Sequence, residues 1–478
     1  MADRMNKGKK ASVAKVGIIY TLSNLVIRGM AFITTPIFTR LLTKSEYGEF
    51  SNISSWAHII AIIVTLQLYV SIVRAKYDYE NELDKYLSSI LLLGNLITVA
   101  WYVVFEVNST WFETLLKMDK PYIRLIFVYA FFSPAMQILT FKNRICCNYQ
   151  KVVFFTWITL FVSTLGSVVL VLAMQDRLMG RTIGNYFLIA IVDAGLWLYI
   201  LIKGKGICLQ HWKYALKFSV PLIPHELAGT LLAMSDRIII KRLCGAEDAA
   251  LYSLAYTISS IANVLLTSLN QAWQPWLYDH IRDKKLSDIR KYTIPYTIVF
   301  AAGCTFIMLI GPEIVLIFGG KAYIPAKYVI PPVCYGTMLQ FVYTLYANIE
   351  FYEKKTGWIS AATMMAAFAN IVLNFIAIPI FGYISAAYTT AIGFLLMVIF
   401  HYYVVNKKTE YGHVYNEKIL IVIMTVMLFV MIGANFLYDY LVIRYLVVLG
   451  FVLTATIGAI KNKKFIIGVL DKKIAKNK

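Results

Sequence analysis

Apolar residues along this chain gather into blocks of about 20, separated by short polar or charged runs, from one end to the other. A helix rising ~1.5 Å per residue needs about 20 residues to cross ~30 Å of hydrocarbon, so each block predicts one membrane-spanning helix. About 14 such blocks are present. The first six run Val16–Phe38, Phe50–Val73, Tyr86–Phe105, Tyr122–Phe141, Val152–Met174 and Ile183–Ile202. Spans 7 and 8 lie within Ser219–Ser253 and Ala249–Gln274, and spans 9 to 11 cover Tyr292–Ile310, Tyr328–Ile349 and Trp358–Ile378. Span 12 follows the turn Pro379–Gly382, and Ile419–Tyr438 and Leu441–Ile460 complete the set. The predicted fold class is an all-α polytopic membrane protein.

Polar residues inside these blocks are the informative exceptions, because a charge in hydrocarbon costs roughly 2.5–3.5 kcal/mol on insertion scales and normally faces a cavity or a partner. Span 1 carries Asn24, Arg28 and Thr35 on one face, and span 2 carries Gln67 and ends at Arg74. Asp193 falls near the middle of span 6. Span 7 holds Glu226, Asp236 and Arg237, and Pro221 and Pro224 near its start predict a kinked helix. Span 8 carries a stripe, Tyr256, Ser260, Asn263, Thr267, Gln271 and Gln274, at spacings of three and four. Such a stripe must find protein partners or water. Asn370 and Asn374 stand one turn apart on span 11 and read as helix-packing residues.

Two segments echo one another. Arg40–Asn52 (RLLTKSEYGEFSN) aligns without a gap to Arg242–Leu254 (RLCGAEDAALYSL), matching Arg40 to Arg242, Phe50 to Tyr252 and Ser51 to Ser253. Each joins one apolar run to the next. Two six-span units that start on the same side of the membrane are parallel repeats about an axis along the membrane normal. The expected division is an N-lobe over 1–203, a basic connector at 204–212, a C-lobe over 213–405, and spans 13 and 14 with a basic tail over 406–478.

Composition sharpens this picture. Hydrophobic residues make up 59% and charged residues 15%, against about 25% charged in soluble domains. The net charge of +20 is distributed as a topology signal: most of the 46 Lys and Arg fall in termini and loops on one side. That is the positive-inside pattern, placing both termini in the cytoplasm and pointing to no nucleic-acid partner. The tail KNKKFIIGVLDKKIAKNK suits anionic lipid headgroups. The basic N-terminal flank lacks a small-residue cleavage site, so span 1 is expected to be retained. The six cysteines show no metal-ligand spacing, and no nucleotide-binding, hydrolase or metalloprotease motif appears.

Four stretches, LLTKSEYGEFS, SDRIIIKRLCGAEDAALYSLAY, IVLIFGGKAYIPAKYV and NIVLNFIAIPIFGYISAAYTTAIG, together with the fourteen-span count, carry a resemblance. The chain resembles the Wzx-type polysaccharide or oligosaccharide flippases of the multidrug/oligosaccharidyl-lipid/polysaccharide exporter superfamily. The resemblance implies a V-shaped pair of six-helix bundles that moves an undecaprenyl-pyrophosphate-linked oligosaccharide from the inner to the outer leaflet of a bacterial cytoplasmic membrane by alternating access. It also implies a cationic cavity, and a groove for the lipid tail formed by an extra helix pair at the position of spans 13 and 14.

On that reading the pyrophosphate needs forked guanidinium donors. Arg28 is the leading candidate, with Arg237, Arg74, Arg40 and Arg242 behind it. Arg237, directly after Asp236, reads more strongly as its local partner than as a ligand, and the residues at span ends read as snorkelling cations. Asn24, Gln67, Tyr256, Asn263, Gln271 and Gln274 are the candidate cavity-lining or sugar contacts. Glu226, Asp193 and Asp236 are the candidate carboxylates for H⁺ or Na⁺ coupling; no other cofactor and no metal is expected. Further partners would be membrane lipids and the polysaccharide polymerase and export machinery, while two internal repeats supply a complete pathway in a monomer. The competing readings are an antiporter of cationic drugs from the same superfamily, a membrane glycan polymerase or ligase, and a non-transporting scaffold. Outer loops of about 15–20 residues leave little room for an enzyme's extracytoplasmic site, so no enzyme is expected.

Overall fold

The computed structural model describes residues 29–146 and 148–461, and every regular element among them is helical. In chain order these are α1 (29–41), α2 (Lys44–Thr65), α3 (Ile72–Asp78), α4 (Leu83–Val107), α5 (Ser109–Leu116), α6 (Lys120–Ile145) and α7 (Tyr149–Ala173). There follow α8 (Arg177–Thr182), α9 (Leu188–Gly204), α10 (Leu209–Ser219), α11 (Ile223–Cys244), α12 (Ala246–Arg282), α13 (Leu286–Leu309) and α14 (Gly311–Gly319). The chain ends with α15 (Ile330–Tyr352), α16 (Thr356–Phe381), α17 (Ser385–Lys408), α18 (Glu417–Leu437) and α19 (Leu441–Lys461).

Among the described residues, nine helices are long and apolar enough to cross a membrane, and ten when the bent pair Lys44–Thr65 and Leu68–Asp78 counts as one span. The other expected spans differ in chemistry. Span 1 begins in residues outside those described. Span 7 is helical as α11 but carries Glu226, Asp236 and Arg237, and span 10 is helical as α15 but carries Gln340, Asn348 and Glu350. Span 14 is strongly apolar only over Leu441–Thr454. The apolar surfaces that remain run along helices: α7 exposes Phe154, Phe161, Leu165, Val169 and Leu172. Such a stripe suits lipid, where α7's backbone groups are already satisfied within the helix.

The chain divides into two compact units. One contains Ile33–Ser253 and Thr363–Ala386; the other contains Leu254–Ala362, the described residues from Ala387 onward and the short stretch before Ile33. In the first, here the N-terminal unit, Ile53 of α2, Phe105 of α4 and Ile123, Ile126 and Phe127 of α6 share a core. Polar ties cross it: the Trp197 indole donates to Asn95 Oδ1 at 2.8 Å, and the Asn95 amide donates to the Phe131 carbonyl at 2.6 Å, joining α9, α4 and α6. In the C-terminal unit α13, α15 and α18 pack on one another, with Phe300 and Phe341 stacked at 4.4 Å.

The repeated segments meet inside the N-terminal unit. Ser51 and its aligned counterpart Ser253 are hydrogen-bonded, hydroxyl to hydroxyl, at 2.5 Å. A residue touching its own repeat equivalent marks a local two-fold relation, as at an isologous interface. Lys44 pairs with Glu247 at 2.8 Å and Lys241 with Glu49 at 2.5 Å around it. Thr43 and Glu46 close a capping box at the start of α2, satisfying two otherwise orphaned donors.

Two local expectations change. Span 2 is not one rod: Leu66 and Gln67 take left-handed φ of 49° and 47°, and the chain bends by 57° there. The prolines of span 7 do not kink a continuous helix. Pro221 lies in a 3₁₀ turn, Val220–Leu222, and Pro224 in the first turn of α11, where a missing N–H removes no helical bond.

Candidate functional site

Three helix interruptions converge on one cavity in the N-terminal unit. The first is the Leu66–Gln67 break, where two consecutive non-glycine residues hold positive φ; such strain persists only where surrounding structure enforces it, and it concentrates at functional sites. The second is Pro134 within α6, whose ring removes the N–H that would bond the Ala130 carbonyl. The third is a π-helical turn, Ile183–Phe187, between α8 and α9, a device that re-aims side chains.

The cavity between them measures about 400 Å³, within the ~300–1,000 Å³ range of small-ligand sites. Its polar lining comes from His58, Thr65 and Gln67 on the bent span, Ser133 and Gln137 on α6, Asn185 on the π turn and Thr230 on α11. Tyr69, Tyr129 and Tyr186 add aromatic faces. Amides and hydroxyls both donate and accept, so this lining matches a hydroxyl-rich ligand; tyrosine rings add flat apolar surface with a polar tip.

Several expected residues gather here. Gln67 lines the cavity. Glu226, exposed one turn before Thr230, acts electrostatically on Tyr69. Asp193 is 1% exposed beside Tyr129, and its Oδ1 has no hydrogen-bond partner. A buried carboxylate left this way is a group poised to take up a proton or a cation.

Asp236 belongs to a different cluster. It accepts from the Tyr252 hydroxyl and, at 2.7 Å, from the Asn374 amide, which also donates to Asn370 Oδ1 at 3.2 Å. Ser235 donates to the same Asn370 oxygen at 3.4 Å. Asn370 and Asn374 are fully buried, as helix-packing residues should be. Arg237 donates to the Ala233 carbonyl at 3.1 Å and to Met234 Sδ.

The remaining candidates lie elsewhere. Arg28 and Asn24 fall outside the described residues. Arg40 donates to the Pro36 carbonyl at 2.7 Å, Arg74 pairs with Asp78 at 3.3 Å, and Arg242 is exposed near the end of α11. The stripe on α12 lies wholly in the C-terminal unit, and part of it is satisfied internally. Thr267 donates to the Asn263 carbonyl at 3.0 Å, and Gln274 to Tyr278 at 3.0 Å. Tyr256 and Asn263 are half-buried, and Gln271 is exposed.

Sequence reading missed other groups. His58, Gln137 and Asn185 line the cavity but are single polar residues without a periodic signal. Glu350 and His401 form a fully buried pair at 2.8 Å in the C-terminal unit. Arg444, 3% exposed, pairs with Glu313, which also accepts from Tyr445 at 2.8 Å. Arg181 stands with its guanidinium 3.6 Å from the Phe38 ring centre and 4.5 Å from that of Phe50.

Residues 13–280 match the family described as "Polysaccharide biosynthesis protein". The "Lsg locus putative protein 1" of Haemophilus influenzae is 22% identical over 422 residues, covering 83% of this chain and 99% of that protein. The "Capsular polysaccharide biosynthesis protein CapF" of Staphylococcus aureus is 20% identical over 399 residues, covering 80% and 96%. The solved structure described as "Lipid II flippase MurJ, inward closed conformation" superposes with a TM-score of 0.66 at 17% identity, over 94% of this chain and all of that one. An inward-facing multidrug resistance MATE family transporter of the MOP superfamily gives 0.62 at 13% identity, over 79% and 96%. The chain therefore has the polytopic helical fold of that superfamily, and it belongs to the polysaccharide biosynthesis protein family.

Proposed function

We propose that this protein is a flippase that moves an undecaprenyl-pyrophosphate-linked oligosaccharide, of the capsule, exopolysaccharide or O-antigen type, from the inner to the outer leaflet by alternating access. The observation that carries the reading is the cavity of about 400 Å³ walled by membrane-spanning helices and lined by amides, hydroxyls and tyrosines. A glycan headgroup cannot cross hydrocarbon unaided, because each hydroxyl would lose its hydrogen bonds to water; this lining replaces them. The family's description and the capsular role printed for the Staphylococcus aureus relative favour a glycan. The MurJ structure's printed role favours a lipid-linked one.

In this mechanism the sugar docks against Gln67 and its neighbours, and guanidinium groups such as Arg28 hold the pyrophosphate. Asp193, Glu226 or Asp236 exchanges H⁺ or Na⁺ to drive the return step. The protein works as a transporter rather than an enzyme. It resides in the bacterial cytoplasmic membrane with both termini inside, and delivers substrate to polymerase and export machinery.

Deleting the gene is expected to leave the lipid-linked repeat unit on the inner leaflet, where an added glycan-cleaving enzyme reaches it only after the membrane is opened. Repeat units fully accessible on intact spheroplasts of the deletion strain would refute the proposal.

A further inference from the structure

Arg181 differs from the other arginines of the N-terminal unit. Arg40, Arg177 and Arg237 each spend an N–H on a backbone carbonyl, those of Pro36, Leu41 and Ala233. Among the described residues Arg181 makes no hydrogen bond and no ion pair, and its Nε is buried without a partner. A guanidinium has five N–H donors in one plane. Here the Phe38 and Phe50 ring centres lie 3.6 and 4.5 Å from the guanidinium carbon. Cation–π contact holds such a group in place without using those donors.

Its position ties it to the cavity. Arg181 lies on the last turn of α8, four residues before Asn185, and Phe50 packs on Tyr186 with ring centres 6.4 Å apart. Asn185 and Tyr186 both line the cavity. A cation without a counter-charge, half-buried among apolar rings, is costly unless an anion visits it. An oxyanion approaching in plane would receive two parallel N–H bonds, the geometry that guanidinium and phosphate share.

We infer that Arg181 is an anion-binding site that receives the pyrophosphate of the lipid-linked substrate at the α8 end of the cavity, while the glycan occupies the cavity itself. The inference rests on the flippase reading for its ligand and on the Arg181 geometry for its site. It adds a phosphate contact supplied by α8, just before span 6.

The test uses the full chain in phosphatidylcholine nanodiscs, titrated with inorganic pyrophosphate by calorimetry. Wild type is expected to bind saturably, and R181Q at least tenfold more weakly with an unchanged thermal midpoint. R181K keeps the charge but loses the fork, so it should bind at least threefold more weakly, which serves if R181Q does not fold. Affinity within twofold of wild type in whichever of these variants folds overturns the site. Repeating the titration with half the lipid replaced by phosphatidylglycerol separates the sources. Unchanged affinity assigns the site to the substrate, whereas loss of pyrophosphate binding assigns it to a lipid headgroup and overturns the substrate assignment. Arg181-dependent binding in a protein that moves no glycolipid would uphold the site and sink the flippase reading; glycolipid movement without it would do the reverse.

Discussion

Replacing Gly48 by Ala tests whether the meeting of α2 with the α11–α12 corner is as close as the structure has it. A Cβ built on Gly48 would stand 1.8 Å from the Ala246 carbonyl oxygen and 2.7 Å from its carbon. Both are backbone atoms at the start of α12, so no side chain can swing aside, and the segments must part by roughly 1–2 Å. That movement would strain the Ser51–Ser253 hydrogen bond and the Lys44–Glu247 and Lys241–Glu49 pairs beside it. Overpacking of this kind costs about 1–3 kcal/mol. At ~2–4 °C per kcal/mol for a body of 150–250 residues, G48A should unfold several degrees below wild type. Gly195 on α9 supplies the control, since a Cβ there meets nothing within 4 Å. G195A should be neutral or should stabilise by about 0.5–1 kcal/mol through the helical backbone alone. Thermal unfolding followed by tryptophan fluorescence in one detergent reads both variants. A G48A midpoint within 1 °C of wild type would refute the close approach and the two-fold contact built on it.

Filling the cavity with S133F should reduce glycolipid translocation at least tenfold without preventing membrane insertion; unchanged rates would show that substrate does not use this cavity. D193N and E226Q should weaken the response of translocation to an imposed proton or sodium gradient, and unaltered coupling in both would remove these carboxylates from that role. R444A leaves Glu313, a third exposed and still bonded by Tyr445, without its cation and should destabilise by about 1–3 kcal/mol. The double change R444M/E313L should recover most of that loss, and a double variant no more stable than R444A in thermal unfolding would contradict the pairing.

The spans were legible because hydrocarbon thickness imposes one length on every crossing, and the repeat because Ser51 and Ser253 retain matching context. The Leu66–Gln67 break was not, since neither residue is the glycine or proline that usually announces one. The π turn leaves no compositional mark either. Asp193 and Glu226 stood out as charges in apolar runs, and both lie by the cavity. The α12 stripe had a clear period, yet period cannot say which helix a face meets; Asn270, off the stripe, is the residue bonded to Asn348 at 2.7 Å. Arg181 escaped because it sits where an apolar block begins, and a cation there resembles any loop charge until Phe38 and Phe50 are seen around it.

The most direct measurement is leaflet translocation in proteoliposomes, comparing a polyprenyl-pyrophosphate-linked oligosaccharide with a small fluorescent cationic drug. The account predicts that the glycolipid moves in a protein-dependent manner and the drug does not. Movement of the drug alone would contradict it and place this chain among the multidrug transporters that share its fold.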